Sequence, residues 1–484
     1  MILRTILAAI AAACLFNTAS AETTSATATR PNVILLFADD MRADTIHALG
    51  DPDIRTPNLD RLASQGVAFR QAHIMGGQGG AVCVASRAML MTGMHLHNLR
   101  KNGSTIPTTA TMMGETFQRA GYHTYGIGKW HNNVEAYMRS FQDGDEILLG
   151  GMTQSQWKIP LNHYHKDGNY TGNVMPDTPN MNDLPVISDH VNPGRHSSEI
   201  FADAAVKFLG GEKAKDPFFL YVAFTAPHDP RDAPKDIVDS YPLDKIKLPP
   251  NFLPEHPFDN GHYGRDEKLL PTPRDPEAVK KEIRDYYAII THLDSQVGRI
   301  LDAVTTAGLD KNTIVIFAAD NGLAVGQHGL LGKQSVYEHS VSVPMIWRGP
   351  GLPAGEKTDA RVYVTEVFPT LCELLGLEKP ASSDTDSFAA SLKQPEKPFH
   401  DDLFFAFRDL HRGVNDGHYK LIEYNVNGVR HTQLFSLEKD RWETKNLADD
   451  PALAEVKTGL QNKLKAYHQK HHDPSNLWKN YKTE

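Results

Sequence analysis

Asn32-Val33-Ile34-Leu35-Leu36-Phe37, running straight into Ala38-Asp39-Asp40, decides the fold class. An unbroken apolar run of this length, with no alternation, describes a strand buried on both faces. Such strands belong to parallel sheets covered by helices. Two further stretches repeat the pattern. Phe218-Phe219-Leu220-Tyr221-Val222-Ala223-Phe224 ends in Thr225-Ala226-Pro227-His228, and Thr313-Ile314-Val315-Ile316-Phe317 ends in Ala318-Ala319-Asp320-Asn321-Gly322. Each buried run delivers acids, an amide or a histidine at its C-terminal end, the edge where open α/β sheets bind ligands.

Helical periodicity fills the gaps. Ile283, Tyr287, Ile290, Val297, Leu301 and Val304 share one face of a helix predicted over 276–307, opened by Asp275-Pro276 and stopped by Gly308. A shorter helix at 198–209 would bury Phe201, Ala205, Phe208 and Leu209. Strands alternating with helices make the expected class α/β, a large doubly wound mixed sheet flanked by helices. Residues 142–197, rich in Asn, Asp, Gly, His and Pro, read as a long loop insertion, and such loops are often binding elements. A polar connector at 378–402 leads to strand-like stretches at 403–407, 419–422 and 433–437 and a helix over 451–468. These form a smaller C-terminal antiparallel sheet plus helix subdomain, expected at 398–484, beside the main domain at 30–385.

The first 21 residues read as a removable signal peptide. Arg4 forms a basic start, Ile6 to Phe16 an apolar stretch too short to span a bilayer, and Ala19-Ser20-Ala21 a cleavage site. Cys14 inside that stretch leaves a lipid anchor as a minor alternative. Export to the periplasm or the medium is therefore expected. Cleavage would remove one cation and no acid, taking the formal charge from −9 to −10. That balance argues against nucleic acid as a partner, though a local cleft can still attract an anion. No later stretch is long enough to cross a membrane. Only Cys83 and Cys372 would remain, so the fold must rely on its core rather than on disulfides.

The chemistry gathers at the strand ends and at Cys83-Val84-Ala85-Ser86-Arg87. A thiol beside Arg87 and near a helix start should have a lowered pKa and be reactive, unless it is simply a buried residue of an ordinary helix. Asp39, Asp40, Asp320 and Asn321 offer oxygen donors of the kind hard cations take, which makes Ca²⁺ plausible and Mg²⁺ less so. The acids could equally cap the helices that follow them. Lys129 in Gly128-Lys129-Trp130-His131 and Lys333 after Gly332 could surround a transferring anionic group with Arg87. Either lysine alone would pass for a solvated surface residue. His228, flanked by Pro227 and Asp229-Pro230, is placed to protonate a leaving oxygen, although a lone histidine is more often structural.

In this order the pieces resemble the type I, formylglycine-dependent sulfatases of the alkaline phosphatase superfamily. The resemblance rests on Asp-Asp at 39–40, C-x-A-S-R at 83–87, G-K-W-H at 128–131, A-P-H-x-P at 226–230, D-N-G at 320–322, H-G at 328–329, G-K-x-x-x-Y-E at 332–338 and V-P at 343–344. The tail from Leu434 to Leu447 is similar to that family's closing strand and turn. The resemblance implies that Cys83 is oxidised to formylglycine by a formylglycine-generating or radical-type maturing enzyme. Asp39, Asp40, Asp320 and Asn321 would bind Ca²⁺ together with the modified Cys83. Arg87 and Lys129 would hold the formylglycine hydrate, and His131 would take its proton when the sulfated intermediate collapses. His228 and Lys333 would hold the sulfate and assist the leaving alcohol. The catalytic domain would be 30–385.

Some positions depart from the family pattern. Ala85 replaces the commoner proline, which bears on the choice of maturing enzyme. His339-Ser340 replaces a frequent Gly-Gly, and Ser342 a frequent Arg. Arg231, His97, Asn98, His163, His165 and His339 are candidate sugar contacts, although His97 and the 163–165 pair could equally be solvated loop residues. The expected function is an exported hydrolase of sulfate esters on a polysaccharide or oligosaccharide. A phosphate or phosphonate monoester hydrolase of the same superfamily, or an inactive glycan-binding homologue, are the alternatives.

Overall fold

The run at the start of the chain forms the strand Asn32–Asp39, with every residue buried, as an apolar stretch covered on both faces must be. The computed structural model describes residues 30–50, 53–99, 101–151, 155–170, 188–261, 264–473 and 475. The signal peptide expected at 1–21 lies outside them. Asn32–Asp39 sits inside an eight-stranded sheet whose order is Glu356–Thr358, Val67–Phe69, Met345–Arg348, Thr313–Ala319, Asn32–Asp39, Phe218–Pro227, His123–Lys129 and Asp143–Leu148. Met345–Arg348 pairs antiparallel with both of its neighbours, and the other pairings are parallel. The sheet is therefore mixed, as expected.

Helices cover it. The long helix Pro276–Thr306 starts where Asp275 accepts from the backbone N–H groups of Glu277 and Ala278, and it ends just before Gly308, whose φ is 69°. Ser197–Leu209 packs beside it on the sheet, with His196 capping the Ser198 N–H. The fully buried helix Val82–Thr92 stops at Gly93 in the left-handed region. Among the described residues no helix is long and apolar enough to cross a membrane.

Two expectations change. The stretch read as an insertion from 142 begins as a strand, Asp143–Leu148, at the edge of the main sheet. Its charges, Asp143, Asp145 and Glu146, are what an edge strand tolerates on its open side. In the C-terminal part the strands Leu403–Phe407, Tyr419–Val426 and Val429–Ser436 and the helix Ala454–Lys470 form, and a further strand, His411–Asn415, lies between the first two. Its polar residues hide the strand pattern because their partners are distant. Arg412 pairs with Asp473, and His411 Nε2 donates to the Asn260 carbonyl at 2.6 Å. Gly76–Gly77 adds a parallel edge to this sheet, and one continuous apolar core runs from Val33 to Phe435.

Candidate active site

Four neighbouring parallel strands deliver their C-terminal ends to one place. In sheet order they carry Asp320, Asp39, His228 and Lys129. Asp40 follows Asp39 with φ 67°, a left-handed turn that aspartate tolerates better than most residues. The turn is held because Tyr286 donates its hydroxyl to the Asp40 carbonyl at 2.7 Å and accepts from the Arg42 N–H at 3.1 Å. Gly128, at φ 83°, lets the chain approach the next strand. A Cβ there would lie 2.0 Å from the Ala223 carbonyl oxygen.

The helix Val82–Thr92 brings Cys83 and Arg87 over this edge. The Arg87 guanidinium donates to Asp320 Oδ2 at 2.9 Å, to the Lys129 carbonyl at 3.0 Å and to the Tyr221 hydroxyl at 3.2 Å. Lys129 Nζ pairs with Asp39 Oδ2. Lys333 Nζ lies 2.8 and 2.7 Å from the two oxygens of Asp40, and Asn321 Nδ2 donates to Asp40 Oδ1 at 2.7 Å. His131 Nδ1 faces Cys83 Sγ at 3.2 Å. His228 Nε2 is 3.6 Å from Asp40 Oδ2, while its Nδ1 lies 2.8 Å from the Asp229 carbonyl oxygen. The structure thus brings Cys83, Arg87, Lys129, His131, His228, Lys333, Asp39, Asp40, Asp320 and Asn321 into one cluster.

The donor set fits a hard cation. Asp39 Oδ1 and Asn321 Oδ1 are buried and have no hydrogen-bond partner among the described residues, which is costly unless a ligand meets them. Asp39, Cys83 and Asp320 place ligand atoms within 4.8 Å of one another, as do Asp39, Asp40 and His228. Electrostatics agree. Burial opposes ionisation of Asp39, yet Lys129, His228, Arg87 and Lys333 together hold it below the usual carboxylate range. Burial and the adjacent Asp39 charge push Asp320 up to about 7. Oxygen donors in number, with no second thiol and little imidazole, favour Ca²⁺ over zinc.

The thiol departs from expectation. Burial pushes the Cys83 thiol up to about 11, against the pull of Lys129 and Lys333, so its place at a helix start does not make it a reactive thiolate. Burial likewise lowers His228 to about 4 and holds His131 well below its ordinary value. Burial works against the charge of Lys333, but Asp40 leads the groups that raise its pKa above the ordinary range.

The proposed sugar contacts sit elsewhere. His97 turns inward beneath the C-terminal helix, 3.8 Å from Asp473 and edge-on to the Tyr467 ring, and Asn98 donates to Asp384. His97 thereby contacts the segment after the last helix, while the exposed Asn98 contacts the connector at 384. His339 stacks on Tyr337 and lines a cavity of about 250 Å³ shared with Arg42, Arg70 and Arg441, a space whose walls include none of the cluster. Arg231 is tied to Glu282, with its guanidinium 5.6 Å from the centre of the Tyr286 ring. His163 and His165 both contact Asp189.

Several supporting residues escaped the sequence reading. Tyr221 and Tyr286 hold Arg87 and Asp40 in place. Asn132 Nδ2 donates to the Val84 carbonyl at 3.1 Å and the Gly103 carbonyl at 2.7 Å, fastening the His131 turn to the start of the Cys83 helix. Gly151 lies against the His131 ring so closely that a Cβ would come within 2.1 Å of Nε2. The position of Asn132, next to the G-K-W-H motif, was the one available signal.

Comparison with known proteins completes the picture. The family model described as Sulfatase matches residues 31–377, and one described as N-sulphoglucosamine sulphohydrolase, C-terminal, matches 326–470. A sulfatase of Formosa agariphila is 30% identical over 390 residues, covering 76% of this chain and 73% of its own. An arylsulfatase of Clostridium perfringens is 28% identical over 448 residues, covering 86% and 90%. A solved structure in complex with its substrate D-glucosamine-2-N,6-O-disulfate superposes with a TM-score of 0.73 at 22% identity, over 93% of this chain and 100% of the other, a likeness of fold. These matches do not favour the phosphoester or inactive-homologue alternatives. The main sheet, its loaded C-terminal edge and the family match over 31–377 agree, and the chain belongs to the sulfatase family of sulfuric ester hydrolases.

Proposed function

We propose that this sulfatase is exported and removes sulfate from a sulfated saccharide, with Cys83 matured to formylglycine and Ca²⁺ held by Asp39, Asp40, Asp320, Asn321 and the matured residue. One observation carries the reading. Among the described residues Asp39 Oδ1 lacks a partner where Cys83, Asp39 and Asp320 gather their ligand atoms, and so does the buried Asn321 Oδ1, whose amide nitrogen is bonded to Asp40. Oxidation of Cys83 would supply a hydrated aldehyde, a nucleophile suited to a position where the thiol stays protonated. Bound Ca²⁺ would supply positive charge against the sulfate oxygens.

The chain's own groups divide the remaining work. Arg87 and Lys129, locked onto Asp320 and Asp39, present fixed positive charge beside the residue at 83 and need no reorganisation as negative charge develops. His131 Nδ1, at 3.2 Å and neutral, accepts a proton from that residue. Lys333 and His228, both directed at Asp40, hold the sulfate and assist the leaving alcohol, and the ammonium of Lys333, which keeps its charge, is the group with a proton to give to the leaving oxygen. The burial of Arg87, Lys129, His228 and Lys333 limits the access of water.

Support for a saccharide comes from the relatives. One matched structure holds a disulfated glucosamine, and iduronate 2-sulfatase of Homo sapiens is 30% identical over 442 residues. Maturation falls to a formylglycine-generating or radical-type enzyme that accepts Ala85. The test measures free sulfate released from a panel of glycosaminoglycan and algal oligosaccharides, beside Cys83→Ala and with the mass of the Cys83 peptide. A peptide mass shifted to the aldehyde, and release that vanishes in the variant and on chelation, is expected. Release by an unmodified wild type, or by Cys83→Ala, would sink the mechanism.

A further inference from the structure

Away from the sheet edge that carries the cluster, the chain assembles a second group of ligand-type side chains. Pro160–Leu161 pairs antiparallel with His190–Val191, bringing together two segments well separated in sequence. Asp189 is the hub. Its Oδ1 faces His163 Nδ1 at 3.1 Å and also His190 Nδ1. Its Oδ2 accepts from the His163 backbone N–H at 3.0 Å and faces His165 Nε2 at 2.9 Å. On its far side, His190 Nε2 lies 2.8 Å from Glu146 Oε2. Glu146 is the unpaired residue of a bulge in the edge strand, where the register steps from Ile127↔Asp145 to Gly128↔Ile147, and its φ is 52°. The bulge re-aims that side chain toward the histidine.

Proton counting shows why this is more than a polar surface. Both ring nitrogens of His190 face carboxylate oxygens, but a neutral imidazole carries one N–H. The two carboxylates therefore call for positive charge between them, from the ring itself or from an ion. The rings of His163 and His190 are close, 4.2 Å between centroids. A divalent ion can supply that charge. Ligand atoms of His163, Asp189 and His190 already lie within 4.8 Å of one another. Around an ion with bonds of about 2.0–2.1 Å, tetrahedral ligands stand about 3.3 Å apart, close to the 3.1 Å between Asp189 Oδ1 and His163 Nδ1, while the 2.5 Å between Asp189 Oδ1 and His190 Nδ1 must open on binding. His163 is 65% exposed, so water can fill a fourth position.

We infer that His163, Asp189 and His190 form a second metal site, for a borderline divalent ion of the zinc class. Two imidazoles and one carboxylate are the donors such ions prefer, whereas Ca²⁺ takes oxygen alone. Glu146 orients His190 from behind and His165 holds the second oxygen of Asp189, the outer-shell partners that metal-bound residues commonly carry. The ion would clip the two ends of the 163–189 connection to each other and to the strand Asp143–Leu148, which is paired with the strand that ends in Lys129.

The test uses tag-free protein saturated with Ca²⁺. Co²⁺ is titrated in, and visible absorption of tetrahedral strength is followed, with Zn²⁺ as competitor. The expected result is one Co²⁺ per chain, displaced by Zn²⁺, lost in Asp189→Asn and His190→Gln, and bound roughly 10-fold more weakly in Glu146→Gln. Circular dichroism of each variant confirms folding, and the conservative Glu146→Gln change keeps the test valid if either of the others fails to fold. Absence of binding to the wild type overturns the inference, and so does binding of equal strength in His190→Gln or Glu146→Gln, which would place the ion elsewhere.

Discussion

Two buried charge clusters, one at the sheet edge and one beneath the C-terminal sheet, use the same residue types to opposite ends. At the edge, Asp39, Asp40 and Asp320 face Arg87, Lys129 and Lys333, yet oxygens of Asp39 and Asn321 remain without partners. Beneath the C-terminal sheet, Lys420 Nζ lies 2.8 Å from Glu338 and 3.2 Å from Glu443, with its ammonium 5.0 Å from the Phe405 ring centre. His73 takes the other oxygen of Glu338 at 2.9 Å, and Glu443 accepts from the Glu338 N–H at 2.8 Å. In the second cluster Glu443 Oε1 and His73 Nδ1 also lack hydrogen-bond partners among the described residues, but Lys420 Nζ stands 3.2 Å from that oxygen. The first balances its formal charges but leaves acceptor capacity open, so any cation that enters must be matched by incoming anionic charge. Open oxygens gathered beside thiol and carboxylate ligand atoms, rather than buried charge as such, distinguish a site from a strut.

The sharpest way to break that distinction is Asp320→Asn. If the edge cluster is built for a cation and an anionic group, turnover should fall about 10³-fold and lose its calcium dependence. The calcium-free protein should be as stable as the wild type or more so, because a like charge beside Asp39 is gone. Urea midpoints with and without calcium, read beside kcat, decide it. A variant that loses stability and activity together would make Asp320 a structural acid.

Next comes a matched pair. Lys333→Met should cut kcat about 10²-fold with little change in unfolding. Lys420→Met strands the buried Glu443 and the half-buried Glu338 and should cost about 3 kcal/mol, while turnover per folded molecule persists. The comparison collapses if the two variants behave alike.

The same contrast shows what a sequence can disclose. Asp39, Asp320, His228 and Lys129 were legible because a buried parallel strand announces itself and its end is then a known address. Tyr286 was missed by one residue. The periodicity put Tyr287 on the inner face, but one step is about 100° around a helix, and it is Tyr286 that reaches Asp40. The partners of His97 and Asn98, Asp473 and Asp384, were not legible because they arrive from far along the chain. The Cys83 thiol was misjudged because neighbours in sequence do not reveal desolvation. The Lys420 cluster left no local trace, since His73, Glu338, Lys420 and Glu443 come from four separate segments.

A smaller effect tests the Lys420 cluster through pH. Burial pushes Glu443 up to about 7 despite Lys420, with Glu338 adding to the rise, while Lys420 and His73 overcome burial to hold Glu338 below its usual range. A carboxyl whose folded pKa is raised from 4.5 contributes stability that is full below pH 4.5 and lost as pH climbs through about 7. Glu338 has the opposite sign, and its contribution is lost as pH falls below 4.5. Glu443→Gln should therefore match the wild type near pH 4.5 and exceed it by about 2 kcal/mol at pH 8. Urea midpoints across that range check it, and a gain that grows toward acid would reverse the assignment.

The smallest effect fixes the lower end of the scale. Arg70 and Asp359 form a two-pronged pair, with Arg70 Nε at 2.7 Å and Nη2 at 2.6 Å, but the side chains are 45% and 69% exposed. Water already solvates both groups, so the pair gains little by meeting and is screened by salt. Arg70→Ala should change stability by no more than about 0.5 kcal/mol at low salt, and the change should disappear in molar salt. Its geometry is at least as good as that of Lys420 with Glu338. A loss near that expected for Lys420→Met would mean that geometry, not burial, sets the value of an ion pair here. A loss of a few tenths leaves desolvation as the reason one cluster holds the fold and the other can hold a substrate.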